Sequence, residues 1–137
     1  AFEILETMPI DDLKKENDAI SSLRAKGFAI ALDDFGTEYS DLFAFSSNEI
    51  DRLKIARELV LGLDNDVRSR RETVLRDLVD SAHRMNVTVV VEGVEDKDQL
   101  DFVRAIGADQ VQGYLYSRPI PVDRFADSFL RIADKAA

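Results

Sequence analysis

Asp33 and Asp34 stand side by side at the end of an apolar run, Phe28-Ala29-Ile30-Ala31-Leu32, and Phe35-Gly36-Thr37 follows at once. Adjacent acids on a loop just past a buried strand suit hard divalent cations, which prefer carboxylate oxygens. A second run, Val87-Thr88-Val89-Val90-Val91, ends in Glu92-Gly93-Val94-Glu95. A third, at the start of the chain, ends in Phe2-Glu3-Ile4-Leu5-Glu6. Carboxylates delivered by the ends of several strands point to one shared site. Lys54 is flanked by Leu53 and Ile55, so in a strand it points away from both. In an open sheet that direction is usually a solvated edge; in a barrel it is the lumen.

Plainer readings stand beside these. Asp33 and Asp34 could cap a following helix, since Asp is a preferred N-cap. Glu92 and Glu95 could be an acidic first helical turn, Glu3 a surface strand residue and Gln112 a satisfied interior amide. His83, the only histidine, is read as surface or helix C-terminal decoration. Spacing assigns Phe125 and Phe129 to the core, and the charge run over residues 68–72 to a solvated helix start.

The elements that must position these groups alternate. Strand-like runs lie near residues 2–6, 28–33, 50–55, 87–92 and 109–113. A helix over about residues 11–26 carries Leu13, Ile20 and Leu23 and stops at Gly27. Residues 62–66 read as a loop. From Ser69, a plausible cap with Glu72 three residues on, a helix runs to Met85 with Val74, Leu75, Leu78, Val79, Ala82 and Met85 as its apolar stripe. A third, about 96–106, aligns Leu100, Val103 and Ile106, and a last one covers about 122–135. Leu42, Phe43 and Phe45 could form a short helix leading to the third strand. Strands alternating with helices imply parallel pairing with right-handed crossovers. No glycine-rich phosphate loop follows the first strand, which disfavours a doubly wound nucleotide fold. Acids after several different strands fit the barrel rule. The fold class is therefore α/β, a partial TIM-like (β/α) barrel of about five parallel strands, and residues 1–137 make one domain.

Bulk properties narrow the function. Apolar residues make up 45% of the 137, enough for a packed core. A net charge of −9 argues against a phosphate-tracking nucleic-acid binder. It leaves room for a small phosphorylated ligand whose charge metal ions offset. There is no cysteine, so thiolate sites are excluded. No apolar stretch is long enough to span a membrane, and no signal peptide is visible at the start. A cytoplasmic location is the default, with no membrane contact from this segment. The chain opens inside a strand without Met, which suggests missing upstream material.

The motifs then become specific. Leu32-Asp33-Asp34-Phe35-Gly36-Thr37 with Tyr39-Ser40 resembles the signature loop of the EAL-domain family of bacterial cyclic di-GMP phosphodiesterases. Leu53-Lys54-Ile55, Val91-Glu92-Gly93-Val94-Glu95 and Gln112-Gly113-Tyr114-Leu115-Tyr116-Ser117-Arg118-Pro119 resemble its later strands, and Glu3-Ile4-Leu5-Glu6 its glutamate-rich strand. All occur in family order. The resemblance implies hydrolysis of cyclic di-GMP to pGpG with Mg2+ or Mn2+. It implies Glu3 and Asp33 as metal ligands, with Asp33 bridging to a second metal held by Asp34. Glu92 would complete or support the cluster. Lys54 would lie beside the attacking water, as base or charge stabiliser, and Gln112 would hold water or metal-bound groups. Glu6 would anchor the loop after the aspartates, and Glu95 and Arg118 would lie near the ligand.

Three departures qualify the expectation. The strand with the name-giving Glu-Ala-Leu motif, and the next with its ligand asparagine, would lie upstream of Ala1. The family's Lys-Ile-Asp reads Lys54-Ile55-Ala56, without the acid that serves the second metal. The family's Gly-Thr-Gly-Tyr-Ser reads Gly36-Thr37-Glu38-Tyr39-Ser40. The chain alone is therefore expected to be weakly active or inactive; the alternative is a degenerate module that binds cyclic di-GMP or a protein partner. Two open sheet edges imply a homodimer or association with the missing N-terminal half.

Overall fold

Five parallel strands pair in chain order across one sheet: β1 (Phe2–Leu5), β2 (Ile30–Phe35), β3 (Arg52–Ile55), β4 (Thr88–Val91) and β5 (Gln110–Val111). The computed structural model describes residues 1–5, 13–37, 45, 50–60 and 65–125. Three longer helices accompany the strands: α1 (Leu13–Ala25), α2 (Asn65–Arg84) and α3 (Lys97–Ile106). An order of 1-2-3-4-5, with no strand inserted out of turn, is the winding of a barrel sector; a doubly wound sheet reverses direction at its switch point.

Strand alternation divides the side chains by chemistry. Leu32, Leu53, Ile55, Val89 and Val91 face one way and pack with Ile20 of α1, with Leu75, Val79 and Ala82 of α2, and with Phe102, Val103 and Ile106 of α3. The opposite face carries Glu3 level with Ala31, and Lys54 level with Val90. Apolar burial on the helix side holds the sheet, so the other face is available for charge.

Two acids fasten the strand starts. Asp51 accepts the Ile30 N–H (2.8 Å) and pairs with Arg24 (2.9 Å). Asp109 accepts the Val89 N–H (2.7 Å) and contacts His83 Nε2 (2.9 Å). His83 thus sits in the last turn of α2, as expected, and tethers it to the sheet. Burial disfavours the ionised Asp109 carboxyl, but the Val89 N–H and His83 outweigh it and hold its pKa below the ordinary value.

Several expectations need correction. Asp33 and Asp34 lie within β2, not on a loop beyond it. The β2–β3 register shifts between Leu32 and Phe35, and Asp34 takes a left-handed conformation (φ 57°), a combination that extends the strand past the acids by an irregularity. Helix α2 begins at Asn65, so Ser69 is no cap; it lies inside the helix, its carbonyl accepting the Thr73 hydroxyl (3.1 Å). Residues 65 and 66 are helical rather than loop, and the charge run 68–72 falls within the helix. Val74 is exposed, one residue and thus about 100° of rotation ahead of the buried Leu75. Met85 lies exposed in the turn after α2. Phe125 is also exposed, so the spacing argument for core fails there. Phe45 is helical, buried and packed against Phe35 (ring centroids 6.0 Å apart). Glu6, Glu38, Tyr39, Ser40, Leu42, Phe43, Phe129 and the helix over 126–135 lie outside the described residues, as do residues 11–12.

Candidate active site

The acids and Lys54 converge at the C-terminal ends of the strands. Lys54 is only 8% exposed, and its Nζ meets three carboxylates: Glu3 at 2.9 Å, Asp33 at 2.7 Å and Glu92 at 2.9 Å. These partners come from β1, β2 and the residue after β4, so the strand pairing itself assembles the cluster. Burial lowers the Lys54 pKa. The hydrogen bonds to Asp33, Glu3 and Glu92 and the charge of Glu92 outweigh that, and the group stands above the ordinary lysine range.

Asp34 completes a second grouping. One oxygen each of Asp33, Asp34 and Glu92 lie within 4.8 Å of one another, close enough to hold one cation. The donor set is all carboxylate, which suits Mg2+, Mn2+ or Ca2+ and does not suit thiophilic metals. Asp33 and Glu92 belong to both groupings, so Lys54 neutralises the same acids that offer themselves to a metal.

Beside the cluster lies a cavity of about 540 Å³. Glu92 belongs to its wall as well as to the acid cluster; Glu95, Gln112 and Arg118 also line it, as do Arg57 and Tyr114. The Arg118 guanidinium lies 4.7 Å from the centre of the Tyr114 ring. The Gln112 side chain is exposed to this space rather than an interior amide. The loop of Glu92 and Glu95 is tightly fixed. Asp96 caps α3 by accepting the Gln99 N–H (2.8 Å), and Gln99 Oε1 accepts the Glu95 N–H (2.7 Å). Glu92 and Glu95 are therefore not a first helical turn; they precede the cap. At Gly113 the chain crosses so close to Val94 that a Cβ would lie 2.0 Å from the Val94 carbonyl oxygen. That crossing is held by Val94 N–H to Gln112 O (3.1 Å) and Leu115 N–H to Val94 O (3.0 Å).

Sequence reasoning missed Arg57, whose Nη1 pairs with Glu95 Oε1 at 2.9 Å. The available signal was its place just past Lys54-Ile55, at the strand end where site residues gather. Ala56 is 2% exposed and begins the short 3-10 turn Arg57–Leu59 with no side-chain cap.

Fold and site together define a class: a sector of a (β/α) barrel whose strand ends present a carboxylate cluster able to hold a metal. The EAL domain family model matches residues 1–119. The chain belongs to the EAL domain family. The cyclic di-GMP phosphodiesterase NbdA of Pseudomonas aeruginosa is 33% identical over 130 residues, which are 95% of this chain and 16% of NbdA. An EAL domain protein of Listeria monocytogenes superposes with a TM-score of 0.82 at 29% identity, covering 94% of this chain and 50% of that one. Klebsiella pneumoniae BlrP1, in calcium and manganese complexes with cyclic di-GMP, superposes with a TM-score of 0.76 at 31% identity, covering 85% of this chain and 29% of that one. The chain spans 16% of NbdA and half or less of these structures. No helix among the described residues is long and apolar enough to cross a membrane.

Proposed function

We propose that this chain is the C-terminal portion of an EAL barrel. It binds cyclic di-GMP and, within a complete barrel, takes part in hydrolysing it to pGpG. The observation that carries this reading is the convergence of Glu3, Asp33 and Glu92 on Lys54, with Asp34 alongside and a cavity adjoining. Glu3, Asp33, Asp34 and Glu92 are the metal-holding residues of the proposal, and Mg2+ or Mn2+ is the ion. When bound, the metal neutralises phosphate charge and lowers the pKa of a water. The chain's own residues do the rest. Lys54 places a fixed positive charge where negative charge grows on the phosphoryl oxygens. Gln112 and Arg118 orient the nucleotide from the cavity wall, and Glu95 holds the Arg57 guanidinium.

A second reading, binding without cleavage, is favoured by one observation: Ala56 stands where the family carries an acid. The isolated chain is accordingly expected to bind but turn over weakly or not at all. Calorimetry with cyclic di-GMP in Ca2+, paired with a pGpG assay in Mn2+, tests both. Absence of binding would refute the proposal. Turnover near that of an intact family enzyme would refute the low-activity expectation.

Strands β1 and β5 each pair on one side only among the described residues. Such edges recruit further strands, which supports a homodimer or association with an N-terminal half. A monodisperse monomer by light scattering at high concentration would contradict this. With a nucleotide messenger as ligand, the cytoplasm is the compartment of the reading.

A further inference from the structure

We infer that Asp51 and Asp109 are positioning residues. From the opposite end of the sheet they fix the strand alignment that brings Asp33 level with Lys54 and Glu92 level with Gln112. The inference deepens the proposed function and rests on that reading only for the metal measurement below.

The two acids build the same closed ring. The Asp51 N–H donates to the Ile30 carbonyl oxygen (2.8 Å), and the Asp51 carboxylate accepts the Ile30 N–H (2.8 Å). The Asp109 N–H donates to the Val89 carbonyl oxygen (3.1 Å), and the Asp109 carboxylate accepts the Val89 N–H (2.7 Å). Each carboxylate is also held from the last turn of a helix, by Arg24 of α1 at 2.9 Å and by His83 of α2 at 2.9 Å. One ring joins β2 to β3 and the other joins β4 to β5, near the starts of the strands.

The rings occur where the strands have least else to align them. The β1–β2 and β3–β4 pairings each keep an unbroken register over four residue pairs. The β2–β3 pairing has two before its register shifts beyond Leu32, and β4–β5 has two in all. Those are the two junctions that Asp51 and Asp109 close. In a parallel ladder a slip of one residue turns the side chains to the other face, and a slip of two moves them about 7 Å along the strand. Either would take Asp33 out of reach of the Lys54 ammonium, which lies 2.7 Å away. The spacing carries the alignment to the site. Asp33 lies three residues after Ile30, and Lys54 three after Asp51; Glu92 lies three after Val89, and Gln112 three after Asp109. Each ring thus stands about 10 Å below a pair of site residues at the other end of the same two strands. Neither acid belongs to the carboxylate cluster or lines the cavity, so both act through the strands they join.

The test uses the whole chain, with Asp51→Ala, Asp51→Asn and Lys54→Met made singly and in combination and melted in EDTA. Sites this far apart normally contribute independently. If the ring aligns Lys54 with the acids, the loss of melting temperature caused by Lys54→Met should shrink by at least half in the Asp51→Ala background. It should return in the Asp51→Asn background, because the amide keeps an oxygen for the Ile30 N–H while giving up the charge. Additive losses, or Asn behaving as Ala, overturn the inference. Asp109 supplies a second measurement that does not depend on whether Asp51→Ala folds. Asp109→Ala should weaken Mn2+ binding by titration about tenfold, as loss of a supporting residue does, and Asp109→Asn should restore it. Unchanged Mn2+ affinity in Asp109→Ala overturns this inference alone. A wild type that binds no Mn2+ overturns the metal site of the proposed function, and the EDTA melts then decide this inference by themselves.

Discussion

Replacing Lys54 with methionine removes the charge while keeping the length of the stem. In the absence of metal it leaves three carboxylates facing one another. Asp33 and Glu92 are the consequential partners, with side chains 15% and 19% exposed. Glu3 is 55% exposed and stays solvated, so it contributes little. Removing one partner from a buried pair costs about 3–5 kcal/mol. Relief of the desolvated ammonium moves the expectation to the lower end, about 3 kcal/mol. For a chain of this length that corresponds to a melting temperature roughly 10 °C lower. A divalent cation should offset much of the loss, because it substitutes for the ammonium at Asp33 and Glu92. A ligand at a hundred times its Kd stabilises by about 2.7 kcal/mol. The assay is thermal denaturation followed by circular dichroism, in EDTA and in MnCl2. Lys54→Met should melt well below wild type in EDTA and gain more from Mn2+ than wild type does. A variant that melts within about 2 °C of wild type in EDTA would refute the view that the ammonium holds the acids together.

Three other outcomes are expected. Asp109→Ala removes the acceptor of the Val89 N–H, whose residue is fully buried, and should cost about 1–3 kcal/mol in urea unfolding at neutral pH. The Asp109 pKa is lower folded than its ordinary 3.8, so its contribution is whole above that value and is lost as pH falls through the folded value; the wild type should approach the variant in acid and diverge from it as pH rises. Gly113→Ala drives a Cβ into Val94 backbone and should destabilise the chain by about 1–3 kcal/mol or more, with weaker cyclic di-GMP binding in calorimetry. Ala56→Asp supplies the cap oxygen that the Arg57–Leu59 turn lacks and returns the family's acid, so Mn2+ affinity by titration should rise about 10-fold; unchanged affinity would separate position 56 from the metal.

Much of this site was legible because strand periodicity does the positioning. A residue flanked by Leu53 and Ile55 must point opposite to them, and Lys54 does so among acids from β1, β2 and the residue after β4. The order of the β/α units was legible for the same reason. The exact frame of the Asp33–Asp34 strand end was not. Apolar patterning ended at Leu32, and the continuation to Phe35 depends on an irregular β2–β3 register, a tertiary effect with no local signal. Helix α2 starting before Ser69 was hidden because residues 65–68 carry a single apolar residue, Val67, which is too few to show a helical stripe. Phe125 misled because spacing identifies a face without saying what covers it; here that face lines the cavity. Arg57 carried no motif of its own, and the path of its stem depends on Gly93, which lies beyond α2 and β4 in the sequence.

Metal-type and ligand-type chemistry meet in a single stretch, Glu92 to Glu95. Glu92 turns toward Lys54 and Asp33, while Glu95 turns toward Arg57 and the cavity. The separation of the two functions is thus set by two intervening residues, Gly93 and Val94. Val94 is fully buried and hydrogen-bonded on both sides to the segment at Gly113, and Gly93 lies against the Arg57 stem. From the other end, Asp96 and Gln99 tie the stretch to the start of α3. A segment fastened at three points has little freedom to change the spacing between its two glutamates. On the proposed reading, that rigidity keeps a cation at Glu92 and a ligand in the cavity at a fixed separation, as a site acting on a single bond requires.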